Sequence, residues 1–126
     1  MKFAMDKGRK ISGGKYKQQR KKKHYEKVGK VRTVKLKETK KKKIRVRGGE
    51  KKTVLLSADT ANLMDKKTKK TRKAKIITVI ETPSNRFLAR QNILVKGAII
   101  NTELGKAKIT NRPSQEGKVE AVLLQE

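Results

Sequence analysis

Apolar residues in this chain come in short alternating runs, with little helical spacing. From Val31 to Glu38 the order VRTVKLKE sets Val34 and Leu36 on one side with polar residues around them, the period-two pattern of a half-buried strand. The block Lys40 to Lys43 reads as a loop. Beyond it Ile44 and Val46 point inward while Arg45 and Arg47 point outward, which puts two guanidinium groups on one sheet face. Gly48-Gly49 is a turn and Thr53 to Ala58 the returning strand. Ala61 to Met64 is a short strand or turn, and Asp65 to Thr71 a polar hairpin loop. The most β-branched run, Ala74 to Glu81, is a central strand buried on at least one face. Past a bend at Gly97, Ala98 to Thr102 is a strand, Leu104-Gly105 a turn, and Lys106 to Thr110 a return strand with Ala107 and Ile109 inward. A loop from Arg112 to Gly117 leads to Val119–Leu124, apolar on both faces and therefore packed inside the sheet.

One helix interrupts the strands. Thr82 is placed to cap it, Pro83 suits the first helical position, and the helix extends over Pro83 to Gln91 with Phe87 and Leu88 as a small apolar patch. Asn92 offers a stop before the aliphatic run Ile93, Leu94, Val95. Arg86 and Arg90, four apart, share a helix face where like charges repel unless an anion such as phosphate lies between them; without one they are two splayed arginines in water.

Residues 1–30 have no such pattern: Phe3, Met5, Ile11, Tyr16, Tyr25 and Val28 follow neither period, so the segment has no core of its own. It carries twelve Lys or Arg against Asp6 and Glu26. Arg9, Lys10, Lys15, Lys17, Arg20, Lys21, Lys22 and Lys23 suit phosphate neutralisation, and His24 and Tyr25 suit stacking on unpaired bases. Ser12, Gly13 and Gly14 complete the run, the glycines letting the chain pass close to another surface. A solvated linker or a nuclear-import address is the plainer reading of such a run, which interleaved glycines and planar side chains disfavour.

The totals sharpen this. The chain's 126 residues make one domain with a tail. Its apolar share of 33%, about 40% with the nine glycines, is below the roughly 45–50% of an ordinary globular chain, so the core is small. Lys and Arg number 37 against 11 acids, a formal charge of +26 that implies a polyanionic partner, nucleic acid before membrane. The excess falls along the chain from +10 in residues 1–30 to +13 in 31–84 and +3 in 85–126, which makes the last third folding material. With no cysteine and no long apolar run, disulfides, thiolate metal sites, a signal peptide and a membrane span are not expected, in keeping with a cytoplasmic protein.

Three blocks recur in the order of a known family. They are Arg9 with Ser12-Gly13-Gly14, Arg20, Lys21 to Lys23, Tyr25 and Gly29; Arg45-Val46-Arg47-Gly48-Gly49; and Asn85-Arg86, Ala89-Arg90, Asn92-Ile93 and Lys96-Gly97-Ala98-Ile99-Ile100. Through them nearly the whole chain resembles the small-ribosomal-subunit protein eight family of archaea and eukaryotes, the "e" lineage, in its short archaeal form. The resemblance implies a structural constituent of the small ribosomal subunit, with its ribosomal RNA and neighbouring ribosomal proteins as partners. The opening MKFAMDKG departs from the usual basic start at Asp6, and the first seven residues are assigned no contacts.

Chemistry beyond binding is not indicated. His24 is the sole histidine, no acidic pair has catalytic spacing, and the serines lack a base. Lys52-Thr53 after two glycines lacks the phosphate-loop frame, because Glu50-Lys51 intervene and a strand follows. No cofactor, metal, small-molecule substrate or membrane partner is expected. The expected fold is all-β, with six or more short strands in a small antiparallel barrel, complete or partly open, over residues 31–126. One short helix and a basic extended N-terminal tail, residues 1–30, complete it. RNA contacts are expected from the tail residues above and from Arg45, Arg47, Arg86, Arg90 and Arg112, with lysine-dominated recognition of RNA shape more than base identity. Two other readings compete: a free nucleic-acid-binding barrel, such as a translation factor or an architectural DNA binder, and an enzyme acting on RNA.

Overall fold

A computed structural model describes residues 8–15, 21, 23–27 and 31–124. The chain separates into two units, Met1–Lys30 and Val31–Glu126.

The second unit is built on strands. A three-stranded sheet contains β1 (Lys35–Leu36), β2 (Lys40–Arg45) and β3 (Lys51–Ala58), with β3 in the middle. A closed barrel follows, formed by β4 (Thr60–Met64), β5 (Thr71–Glu81), β6 (Ile99–Thr102), β7 (Gly105–Ile109) and β8 (Glu120–Leu123) in sequence order. Each consecutive pair is antiparallel, while β4 and β8 pair in parallel. The parallel seam follows from the strand count, because in an up-and-down meander the first and fifth strands run the same way. The expected barrel is therefore complete, and its closing pair is not antiparallel.

Five strands enclose a narrow lumen, and side-chain size answers to that. Across the ladders, Ile100 faces Ala107, Ile109 faces Ala121, and Ala61 faces Ala74. All six are buried. Small residues set against isoleucines or against each other fit a narrow lumen without any aromatic ring, so a low apolar content suffices. Val34, Leu55, Leu94, Ala98 and Val119 extend this core beyond the barrel.

Three expectations change. Lys40–Lys43 is not a loop but most of β2, held by antiparallel pairing to β3, with Lys41 opposite Leu55 and Lys43 opposite Thr53. Pairing overrides propensity here, and lysines on an edge strand keep it from adding another chain. The strand expected over Val31–Glu38 shortens to β1, although Val34 is buried and Leu36 half-buried as the alternation requires. Its free edge is met by the Ile93–Leu94 segment, where Leu36 N–H donates to Asn92 C=O and Leu94 N–H to Val34 C=O. The helix, α1, spans only Arg86–Arg90. Asn85 N–H bonds back to Thr82 C=O, turning the chain through Pro83 and Ser84, and Asn85 is the cap: its side chain accepts from Phe87 N–H at 3.0 Å.

The end of α1 matches its sequence. Asn92 has a φ of 51°, Asn92 N–H donates to Ala89 C=O and Ile93 N–H to Leu88 C=O, the paired bonds of a Schellman motif with asparagine in the left-handed position. Asn92 Oδ1 also accepts from Val79 N–H at 3.2 Å. Val79 lies between two register shifts in β5, so this bond fixes the helix against an irregular stretch of strand.

Candidate nucleic-acid interface

Exposed cations fall into several groups. In the first unit, Lys10 to Gly13 forms a turn closed by Gly13 N–H to Lys10 C=O (2.8 Å), with Lys10 N–H to Gly14 C=O (2.8 Å) and Arg9 Nη1 to Gly13 C=O (3.1 Å) around it. Gly13, at a φ of 79°, supplies the left-handed position that closes this turn. Arg9, Lys10, Ser12, Gly14 and Lys15 are thereby displayed on one small exposed hairpin, with a bridge between Arg9 and Lys15. Lys23, His24 and Tyr25 belong to a second piece, a 3-10 turn at His24–Glu26 in which Lys23 N–H donates to Glu26 Oε2 and Lys23 Nζ lies 5.8 Å from the Tyr25 ring centre. Both rings and Lys21 are exposed. Lys17, Arg20 and Lys22 lie outside the described residues.

In the second unit the β2–β3 hairpin concentrates charge. Arg45 ends β2 directly opposite Lys51, and Arg47 stands in the turn beyond, not on the sheet face expected for it. Gly48 and Gly49, with φ of 85° and 86°, make a tip that side chains would strain. Like charges facing each other across a ladder destabilise it unless an anion intervenes.

Lysines that no motif singles out line a cleft of about 410 Å³ between this sheet and the barrel. Lys41, Lys73 and Lys118 surround it with Thr39, Asp59, Thr60 and Asn62. The Asp59 carboxyl is held below the ordinary carboxylate range by the Thr39 hydroxyl, which donates to it, against the opposing effect of burial and with lesser help from Lys73 and Lys75. Lys118 is held above the usual lysine value by its bond to Glu120 at 2.6 Å. Lys73 and Lys75 were legible as the outward members of the alternation around Ala74 and Ile76; Lys118 had no signal in the sequence.

Arg112 opens the loop that runs along β3, where Pro113 C=O accepts from Leu55 N–H. Asn111 holds this loop: its side chain donates to Glu116 Oε2 and Lys118 C=O and accepts from Glu120 N–H. The first of these, with the Arg112 N–H, keeps the Glu116 carboxyl below its ordinary range. Gly117 passes so near Thr53 that a Cβ there would come within 3.1 Å of its methyl group.

Arg86 and Arg90 do share a face of α1, as spacing predicts, and the element α1 packs on is β5. Their guanidiniums lie 5.6 and 6.0 Å from the Phe87 ring centre. Both arginines also line a cleft of about 380 Å³ with Val79, Ile80, Glu81, Thr82 and Ala89. Thr82, expected as a cap, is instead 2% exposed, and its hydroxyl is a buried side-chain oxygen with no hydrogen-bond partner. The five candidate arginines of this unit thus stand on three separate elements, not in one cluster.

Comparison with known proteins agrees with the residue blocks. The chain is 47% identical to the small ribosomal subunit protein eS8 of Methanococcus aeolicus over 120 residues, 94% of this chain and 93% of that one. It is 42% identical to that of Methanocella arvoryzae over 125 residues, 98% and 99% of the two chains. Against that of Hyperthermus butylicus it is 54% identical over 82 residues, 65% of this chain and 60% of the relative. The model of the family described as Ribosomal protein S8e matches residues 4–124, and the chain belongs to that family.

Proposed function

We propose that this protein is a structural, non-catalytic constituent of the small ribosomal subunit that binds ribosomal RNA by neutralising phosphates from several directions. The observation that carries this reading is the family match over residues 4–124 in a chain of formal charge +26. The barrel lumen takes alanine and aliphatic side chains, while Arg45, Arg47, Lys51, Lys73, Lys75, Arg86, Arg90 and Arg112 stay exposed. Arg9 to Lys15 and Lys21 to Tyr25 add a basic extension, for which residues 1–30 are the proposed unit. Cations spread over a hairpin, a cleft, a helix and an extension suit RNA backbones converging from different helices, a surface recognised by shape. Neighbouring ribosomal proteins are the remaining partners.

The test has two parts. In magnesium and moderate salt the protein co-sediments with small subunits; if it washes off, or follows chromosomal DNA, it is a free factor or a DNA binder. With purified ribosomal RNA, the double variant Arg86→Gln/Arg90→Gln keeps its β circular dichroism and lowers the log–log salt slope by roughly 0.7–0.9 for each phosphate that is no longer neutralised. Loss of fold at an unchanged slope would make those arginines structural.

A further inference from the structure

We infer that Phe87, with Arg86 and Arg90 beside it, forms a site for one unpaired nucleotide of RNA, the ring stacking on the base and the guanidiniums holding its phosphates. This rests on the RNA-binding reading above and adds a contact that phosphate neutralisation alone does not need.

Residues 31–126 contain a single aromatic side chain, Phe87. A body built without a ring in its core has placed its one ring on the surface, 55% exposed. Neighbours at i−1 and i+3 keep two cations at 5.6 and 6.0 Å from the ring centre, although like charges four apart on a helix repel. No ion pair to either arginine occurs among the described residues. An anion between them removes the repulsion, and a nucleotide supplies that anion together with a planar face for the ring. Duplex RNA offers phosphates but hides its base faces, so the ring selects a single-stranded or extruded nucleotide.

The adjoining cleft is consistent with such a ligand. Its volume, about 380 Å³, is near the low end of the roughly 300–1,000 Å³ that small ligands occupy. Thr82 also lines it, but with its hydroxyl buried and out of a ligand's reach. Glu81 lines the same cleft and repels phosphate, which leaves the arginine side for the backbone. An apolar side chain from a neighbouring protein could also cover a phenylalanine, but two flanking guanidiniums disfavour it.

The chain contains no tryptophan, so Phe87→Trp introduces a single indole in the full-length protein, excited at the red edge where its two tyrosines do not absorb. A single-stranded RNA dodecamer should quench its emission, and a blunt duplex of the same sequence should bind without comparable quenching. Phe87→Ala should weaken dodecamer binding by about 5- to 150-fold at an unchanged salt slope, and Phe87→Tyr should restore it. Circular dichroism should show each variant folded, as expected for a ring this exposed. Binding of the dodecamer by Phe87→Ala at wild-type strength, or binding to Phe87→Trp without quenching, would overturn the stacking site and leave the phosphate reading intact. Weakened retention on the small subunit with unchanged RNA affinity would make the ring a protein contact, which also overturns it. Failure of the wild type to bind any RNA would remove the RNA-binding reading itself.

Discussion

Replacing Asn92 by glycine and by alanine separates two contributions that this residue makes to the position of α1. Asn92 holds a left-handed φ of 51°, and its Oδ1 accepts from Val79 N–H at 3.2 Å. Glycine keeps the backbone conformation without strain but leaves Val79 N–H without that acceptor. A hydrogen bond is worth about 1 kcal/mol net, and the half-buried setting gives water some access, so Asn92→Gly should lose about 1 kcal/mol. Alanine loses the same bond and adds the left-handed penalty of about 1–2 kcal/mol, for a total of about 2–3 kcal/mol. For a body of this size, 1 kcal/mol moves the melting temperature by roughly 4–8 °C, so the two variants should melt well apart. Thermal unfolding of the full chain, followed by circular dichroism at moderate salt, measures both. Equal losses for glycine and alanine would show that the left-handed backbone contributes nothing. A glycine variant as stable as the wild type would show that the bond to Val79 does not hold α1 to β5.

Other perturbations bear on the core and on the cleft. Thr82→Val removes a buried hydroxyl without a partner at nearly constant volume; stability should rise by about 1 kcal/mol, and a fall would mean that the hydroxyl is satisfied in solution. Ala107→Leu overfills a lumen position opposite Ile100 and should cost about 1–3 kcal/mol in urea unfolding; a neutral result would mean that the barrel is loosely packed. Asp59, Asp65 and Glu116 all have carboxyls held below their ordinary range, by the Thr39 hydroxyl, the Lys67 N–H and the Asn111 amide respectively. Their stabilisation is therefore complete above the unfolded carboxyl values of about 3.9–4.3 and is lost as pH falls through the lower folded values. The free protein should melt earlier below about pH 4, and Glu116→Gln should flatten that acid limb; an unchanged limb would refute the assignment for this group.

Much of the barrel was legible because its strands alternate cleanly. Ala74 and Ile76 inside and Lys73 and Lys75 outside follow from period two alone, as do Ala107 and Ile109 against Lys106 and Lys108, whereas the burial of Val79 breaks the alternation at a register shift between Ile76 and Thr78. Gly48-Gly49 and Asn92 were readable because each residue type suits a left-handed backbone. The misreadings share a cause: the deciding contact is remote in sequence. Four consecutive lysines have no intrinsic reason to form a strand, and only pairing with Thr53–Ser57 makes them one. Thr82-Pro83 is a good helix start locally, yet burial of Thr82 and the better-placed Asn85 delay the helix by a turn. On the candidate site, Arg86 and Arg90 were found through i,i+4 spacing, but their arrangement about Phe87 and the lysine cleft under β3 depend on tertiary packing. No local pattern announces either.

A division of labour follows from these contacts. The lumen is closed by a parallel seam and filled by alanine and aliphatic residues, so the barrel has no unpaired internal edge and needs no charged group in its interior. The arginines singled out in this unit sit outside it, on the β2–β3 hairpin, on α1 and at the start of the 112–117 loop. α1 and the loop are tied down by side chain to backbone bonds, Asn92 to Val79 and Asn111 to Lys118 and Glu120. Dispersion and burial are non-directional and tolerate small shifts, whereas one hydrogen bond to a specific amide fixes an element's position. Loss of Asn92 or Asn111 should therefore displace α1 or the loop before it unfolds the barrel. Charge can be added or removed on these appendages without reaching the core, which lets one small body carry so large a cationic excess.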